Sequence, residues 1–160
     1  MSRAKLSPEP GWVEISPFPF AAARLSFTGN DPDHDRVALR YFKDEQGELV
    51  ARVWFGKLSQ GAPGRVHGGG VLTALDEAMG GAAWARGHKV MTVRIDAAFR
   101  KSVPIETELT IYTKLAREGS RMVAVDAYLM DENGTTFAEA GGDFIKLAGE
   151  RLREVFGDEA

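Results

Sequence analysis

The sequence has 160 residues, of which 44% are apolar and 27% carry a charge, as is usual for a globular domain. A net charge of −3 gives no electrostatic basis for binding nucleic acid or an anionic membrane surface, and the lack of cysteine excludes a thiol nucleophile, disulfides and thiolate metal ligands. Because there is neither an apolar run near ~20 residues nor a signal-peptide core, we expect a cytoplasmic protein of one domain, residues 1–160.

The N-terminal segment 1–24 is expected to be an extended arm that packs on the body of the domain. Prolines at four of its first 19 positions prevent a long regular element, although a short helical turn is expected near Trp12. The next segment, residues 25–35, contains glycine, asparagine, aspartate and proline close together, which predicts a loop.

Alternating apolar and polar residues predict six strands, and the short turns between most of them predict antiparallel pairing. The predicted strands are residues 36–43, 48–55, 89–103, 107–115, 121–130 and 135–147. A buried helix ending near Ala85 lies between the second and third strands, and a short amphipathic helix is expected in 148–160. This order is typical of the α+β class, with an antiparallel sheet and one central helix on one face. Because one helix cannot cover six strands, the exposed part of the sheet and its edges predict a dimer.

The segment from Gly61 to Trp84 organises the chain, because its helical part is apolar around almost the whole circumference. Asp76 lies inside this run, where a carboxylate needs partners, a shifted pKa or a chemical task. Glycines 68–70 lie where the helix begins. Their backbone N–H groups have no intrahelical partner and suit a developing oxyanion.

These two features cannot act on one substrate from a single helix, because Gly68 and Asp76 are separated by about 12 Å along the helix axis. Two antiparallel copies of the helix in a two-fold dimer would bring them together, so a site here is shared between chains. A purely structural interpretation explains the same pattern, with the glycines as a helix cap and Asp76 as a hydrogen-bonded core residue.

In the long strand that follows the helix, regular alternation divides the side chains between two faces. It places Met91, Val93 and Phe99 on the apolar face and Thr92 on the opposite, polar face.

Several short motifs in this order resemble those of the hotdog-fold acyl-CoA thioesterases. The resemblance is to the branch that contains the phenylacetic-acid-pathway thioesterases and the mammalian thioesterase-superfamily members, and it covers residues 25–147. The motifs that carry it are Gly61-Ala62-Pro63-Gly64, His67-Gly68-Gly69, Leu75-Asp76-Glu77-Ala78-Met79-Gly80, Thr92 and the loop 27–32.

The resemblance implies a hotdog fold, no cofactor, and four catalytic residues. Asp76 matches the carboxylate that acts as general base or nucleophile, and Gly68 matches the residue whose N–H forms the oxyanion hole. His67 matches a histidine that orients the thioester carbonyl, and Thr92 matches a hydroxyl residue that positions the attacking water. One subunit is expected to supply His67 and Gly68, and its partner Asp76 and Thr92.

Further contacts with the substrate are expected from Gln60, Gly61, Gly69, Glu77, Arg100 and Lys101. Many relatives carry asparagine or glutamine at the position of Gly61, so either Gln60 replaces that amide or it is missing. The charges of Arg100 and Lys101 suit the phosphates of coenzyme A, or are ordinary solvated charges at a strand end. Glu77 is expected to be exposed or capping, with the role of base as an alternative.

Three functions are consistent with these residues. The first is a thioesterase acting on acyl-CoA or acyl-carrier thioesters as a homodimer or homotetramer. The second is a hydratase or dehydratase with His67 as base. The third is a non-catalytic acyl-thioester-binding protein, which the absence of an amide at Gly61 favours. No metal is expected, because His34, His67 and His88 lack the spacing of metal ligands.

Overall fold

A computed structural model of the chain describes residues 4–19, 26–29, 31 and 33–159. Seven strands and two α-helices occupy this part of the chain. In chain order they are β1 (Val13–Ile15), β2 (Val37–Lys43), β3 (Leu49–Phe55), α1 (Gly68–Ala85), β4 (Val90–Phe99), β5 (Thr107–Glu118), β6 (Met122–Met130), β7 (Thr136–Lys146) and α2 (Gly149–Phe156). Short 3-10 turns cover Lys57–Ser59 and Gly157–Glu159.

The strands form one antiparallel sheet in the order β1-β2-β3-β5-β6-β7-β4. Helix α1 lies against one face of this sheet and contacts every strand from β2 to β7. The predicted α+β class, with one central helix on an antiparallel sheet, is confirmed. The six predicted strands are present, and the three-residue strand β1 is an addition that comes from the N-terminal arm.

The core lies between α1 and the inner face of the sheet. The apolar face predicted for β3 packs there, and each of its four side chains is at most 2% exposed: Leu49, Ala51, Val53 and Phe55. The buried positions of α1 lie on all sides of the helix: Val71, Ala74, Leu75, Ala78, Met79, Gly80, Gly81, Ala82 and Ala83. This burial fixes the middle of α1, where Asp76 lies, relative to the sheet.

The N-terminal arm packs on the outer face of β2, β3 and β5. Leu6 is 2% exposed, and the ring of Trp12 lies 5.8 Å from that of Phe42. The guanidinium of Arg52 lies 5.0 Å from the Trp12 ring centre, as in a cation–π contact. The backbone N–H of Trp12 donates to the backbone carbonyl of Glu9, which closes the expected turn. The rest of the predicted arm, residues 1–3 and 20–24, lies outside the described residues.

Strand β4 differs from the regular alternation that the sequence predicts. A β-bulge interrupts its pairing with β7 between Thr92 and Arg94, and one inserted residue reverses the faces on either side of it. Thr92 therefore lies opposite the buried Phe144 and faces α1, so its predicted position on the polar face is wrong. The strand ends at Phe99 instead of residue 103, and the residues beyond it form a loop.

The same strand is an edge of the described sheet, and three of its apolar side chains are exposed. Met91, Val93 and Phe99 are 44%, 58% and 55% exposed. An edge with unpaired backbone groups and exposed apolar side chains favours pairing with another strand.

Candidate functional site

The first group of site residues surrounds the N-terminus of α1. His67 is the N-cap, and its Nδ1 accepts a hydrogen bond from the Gly69 N–H over 2.8 Å. Its carbonyl accepts from the Gly70 N–H, also over 2.8 Å. Of these three glycines, Gly68 alone has an N–H without an acceptor in the described part of the chain. The helix therefore offers one exposed donor at its positive end.

The tautomer of His67 follows from its role as a cap. Because Nδ1 accepts the Gly69 N–H, the neutral imidazole carries its proton on Nε2. Nε2 is therefore the donor that the ring can offer to a ligand. The Gly69 N–H is committed to this cap and is not available to a ligand, so the expected contact of Gly69 with substrate does not come from its amide.

In the loop before His67, position 61 has no room for a side chain. A Cβ at Gly61 would lie only 2.9 Å from the Cα of His67, so a side chain there would push His67 away. The neighbouring Gln60 uses its Oε1 to accept the Gly64 N–H over 2.7 Å, which leaves its NH₂ group to act as a donor. Gln60, His67 and Gly69 line a cavity of about 360 Å³.

The second group of site residues lies in the middle of α1. Asp76 is half-buried, and its Oδ1 accepts a hydrogen bond from Thr92 Oγ1 over 2.8 Å. Burial raises the pKa of the Asp76 carboxyl, and the hydrogen bond from Thr92 offsets part of this rise. The bulge in β4 places Thr92 for this contact.

Glu77 is the third polar residue here, and it is not exposed as expected. Its Oε2 accepts hydrogen bonds from Thr28 Oγ1 over 3.2 Å and from the Tyr41 hydroxyl over 3.4 Å. Burial raises the pKa of Glu77, the Thr28 hydrogen bond opposes that rise, and the charge of Asp76 adds to it. A sequence signal was available, because a helix that is apolar on all sides leaves no solvent-facing position for a glutamate.

Asp76, Glu77 and Thr92 open into one cavity of about 320 Å³, which we call the acid cavity. Five aromatic side chains also line it: Phe18, Tyr41, Trp84, Phe144 and Phe156. Phe18 belongs to the N-terminal arm and Phe156 to α2, and the rings of Trp84 and Phe156 meet edge to face at 5.2 Å. The sequence analysis did not place Phe18 or Phe156 at the site, because each belongs to a segment far from α1 along the chain.

Arg100 and Lys101 lie beside the N-terminus of α1. They line a cavity of about 300 Å³ together with Gly68 and Phe99. Arg100 is paired with Glu139, whereas Lys101 has no ion pair among the described residues. Lys101 is therefore the more available cation next to the Gly68 N–H.

Within one chain, the two groups remain apart. Gly68 and Asp76 are about 12 Å apart along the axis of α1 and line different cavities. In the described ranges, no group of three or more histidine, aspartate or glutamate side chains is placed to hold a metal ion. None of the helices in those ranges is long and apolar enough to cross a membrane.

Comparison with known proteins finds similar sequences. Residues 63–138 match the family model of the Thioesterase superfamily. Acyl-coenzyme A thioesterase THEM4 of Bos taurus is 35% identical over 98 residues, which cover 60% of this chain and 40% of that protein.

Solved structures of several proteins share the fold of this chain. The E. coli PaaI protein from the phenylacetic acid degradation operon has a TM-score of 0.62 at 16% identity, covering 71% of this chain and 80% of that one. A hypothetical thioesterase protein with coenzyme A from Streptococcus pneumoniae TIGR4 has a TM-score of 0.60 at 19% identity, covering 62% and 78%. The expected hotdog fold is confirmed. The chain spans less than half of the length of the THEM4 and THEM5 relatives that it matches.

Proposed function

We propose that this chain hydrolyses acyl-CoA thioesters at a site shared between two copies. The observation that carries the proposal is that α1 bears two reactive features. The Gly68 N–H at its start has no acceptor in the described part of the chain, and the half-buried Asp76 in its middle accepts a hydrogen bond from Thr92. Two neighbours support the substrate class, since THEM4 is an acyl-coenzyme A thioesterase and the streptococcal structure holds coenzyme A.

The proposed reaction needs no cofactor. The Asp76 carboxylate accepts a proton from a water held by Thr92, and the hydroxide attacks the thioester carbon. The carbonyl oxygen becomes an oxyanion that accepts from the Gly68 N–H and from His67 Nε2, and such a donor typically contributes about 3 kcal/mol. The C–S bond then breaks, the thiolate takes up the proton that Asp76 had accepted, and free acid and coenzyme A leave with Asp76 again ionised. Attack by Asp76 itself, through an anhydride that water then opens, uses the same residues.

The direction of β4 supports the shared site. This strand runs opposite to α1, so that Phe99 lies beside Gly68 and Thr92 lies beside Asp76. A two-fold axis through the middle of β4 pairs two copies of the strand antiparallel at their free edges. The Thr92 end of one chain then lies next to the Phe99 end of the other, and Asp76 of one chain approaches Gly68 of its partner.

A cysteine scan tests this dimer, because the chain contains no cysteine of its own. We expect Ile95→Cys or Asp96→Cys, at the middle of β4, to form a disulfide between chains under mild oxidation, since directly paired residues lie within disulfide reach. Glu132→Cys, in the exposed turn before β7, is the control. If neither mid-strand variant cross-links more than this control, the pairing is wrong.

Two observations bear on the alternative functions. A hydratase or dehydratase with His67 as base needs an unprotonated nitrogen facing the substrate, but the capping bond to Gly69 places the proton on Nε2. A non-catalytic binding protein was favoured by the missing amide at Gly61. The close contact of Gly61 with His67 now explains that glycine by packing, so the argument for lost activity is weaker.

The reaction is tested by following thiol release from a panel of acyl-CoA thioesters. We expect release by the unaltered protein and a loss of at least about 100-fold in kcat for Asp76→Ala, as for loss of a general base. Acyl-CoA binding without thiol release would instead support the non-catalytic alternative. Full activity of Asp76→Ala would remove Asp76 from the mechanism. A cytoplasmic location, a tetramer and the use of carrier-protein thioesters stay predictions.

A further inference from the structure

The acid cavity contains a polar group that the hydrolysis does not use. Both hydrogen bonds to Glu77 go to Oε2, so Oε1 has no partner in the described part of the chain. The unpartnered side-chain atoms that are fully buried there are His34 Nδ1 and Glu48 Oε2, and Glu77 Oε1 is not one of them. Oε1 is therefore open to the cavity that Glu77 lines.

The position of this oxygen is fixed. Thr28 and Tyr41 reach Glu77 from two different parts of the chain, the loop before β2 and β2 itself. Helix α1 fixes the backbone of Glu77, and the next residue, Ala78, is fully buried. A carboxyl held from three directions presents its free oxygen at a defined point, which is what orienting polar groups in a ligand pocket do.

The rest of the cavity wall is largely aromatic and suits an acyl group. Its volume of about 320 Å³ has room for roughly ten non-hydrogen atoms at ~30 Å³ each. An unsubstituted alkyl chain that fills this space covers Glu77 Oε1 and gives it no hydrogen bond, which is unfavourable. An acyl group with a hydroxyl at the right carbon covers the same surface and donates to Oε1.

We propose that Glu77 selects acyl groups that carry a hydrogen-bond donor, in the simplest case a hydroxyl on an otherwise apolar chain. This inference rests on the proposed thioester hydrolysis, whose acyl product the acid cavity would hold next to Asp76. Glu77 is then a specificity residue that contacts the substrate and takes no part in the proton transfer.

The test compares hexanoyl-CoA with hexanoyl-CoA esters that carry one hydroxyl, at carbon 3, 4, 5 or 6. We expect kcat/KM of the unaltered protein to be about tenfold higher for at least one hydroxylated ester, as one hydrogen bond provides. Glu77→Leu keeps the size and helix propensity of the residue but removes the acceptor, so the preference is expected to disappear. Glu77→Gln keeps an acceptor and is expected to keep part of it. Glu132→Leu, the same change in an exposed turn, is the matched control and is expected to keep all of it.

The outcomes separate this inference from the proposed function. If thiol is released but hexanoyl-CoA is cleaved at least as well as every hydroxylated ester, the inference is overturned and hydrolysis stands. A preference that survives in Glu77→Leu also overturns it. If no ester is cleaved, the proposed hydrolysis is wrong. The inference is then tested by dissociation constants, and at least one hydroxylated ester is expected to bind about tenfold more tightly than hexanoyl-CoA. Equal binding of all esters overturns the inference in that case.

Discussion

Replacing Thr92 by valine tests the link between the bulge in β4 and the acid on α1. The change removes the hydroxyl that donates to Asp76 Oδ1 over 2.8 Å and nearly keeps the volume of the side chain. A hydrogen bond to a charged group contributes about 1.5–3 kcal/mol, and we use the lower end because Thr92 is exposed in the single chain. Losing about 1.5 kcal/mol of stabilisation disfavours the Asp76 carboxylate and raises the pKa of Asp76 further.

The sign of the effect on activity follows from the proposed role of Asp76 as general base. Burial already raises the pKa of this carboxyl, and the Thr92 hydrogen bond holds it back. A general base works only when ionised, so the acid side of the kcat/KM profile is expected to move to higher pH in Thr92→Val. Activity at high pH is expected to fall as well, because the attacking water loses a partner.

The assay is thiol release from one acyl-CoA ester between about pH 5 and pH 9, the range in which a raised carboxyl pKa becomes visible. Thr92→Ser keeps the hydroxyl and is expected to follow the unaltered protein. An acid side that stays in place, or that moves to lower pH, would refute the argument that Thr92 stabilises the Asp76 carboxylate.

Three further predictions follow from the same contacts. Because burial raises the pKa of Asp76, the folded protein loses stability as the pH rises through that pKa. Asp76→Asn is therefore expected to raise Tm at pH 8, and this gain is expected to shrink as the pH falls through the raised pKa and to be absent below the ordinary value of about 3.9. A gain in Tm that is equally large at pH 8 and below about pH 3.9, measured by differential scanning calorimetry, would contradict this. Gly61→Ala places a Cβ 2.9 Å from the Cα of His67, and overpacking of about 1–3 kcal/mol is expected to lower Tm by about 3–9 °C. The control is Gly70→Ala, whose Cβ meets its nearest neighbour at 3.5 Å; an equal loss there would mean that the packing against His67 is not the cause. Lys101→Ala is expected to raise KM for acyl-CoA at low ionic strength with kcat unchanged, and high salt is expected to remove the difference by screening; an equal KM at low salt would exclude contact with the phosphates.

Local sequence patterns explain most of the fold and part of the site. The uninterrupted apolar character of α1 predicts both its burial and the special status of Asp76, since a carboxylate in such a helix cannot be an ordinary surface charge. Regular alternation predicts the strands, with ends that agree within a few residues. The rise per residue of a helix is enough to show that Gly68 and Asp76 cannot meet within one chain.

Other features depend on contacts between segments that are distant in sequence. The bulge that turns Thr92 toward Asp76 is one extra residue in an otherwise regular strand, and nothing in the local pattern indicates it. Glu77 is held because Thr28 and Tyr41 happen to cover that side of α1.

Hydrophobic periodicity is a local property of the chain, and it is enough to predict the buried helix, the strands around it and the unusual position of Asp76. Which glycine N–H stays unpaired, which face Thr92 takes and which rings enclose the acid cavity become known from the three-dimensional packing. Each of these depends on the register and packing of segments that are far apart in sequence, and periodicity carries no information about which of them meet.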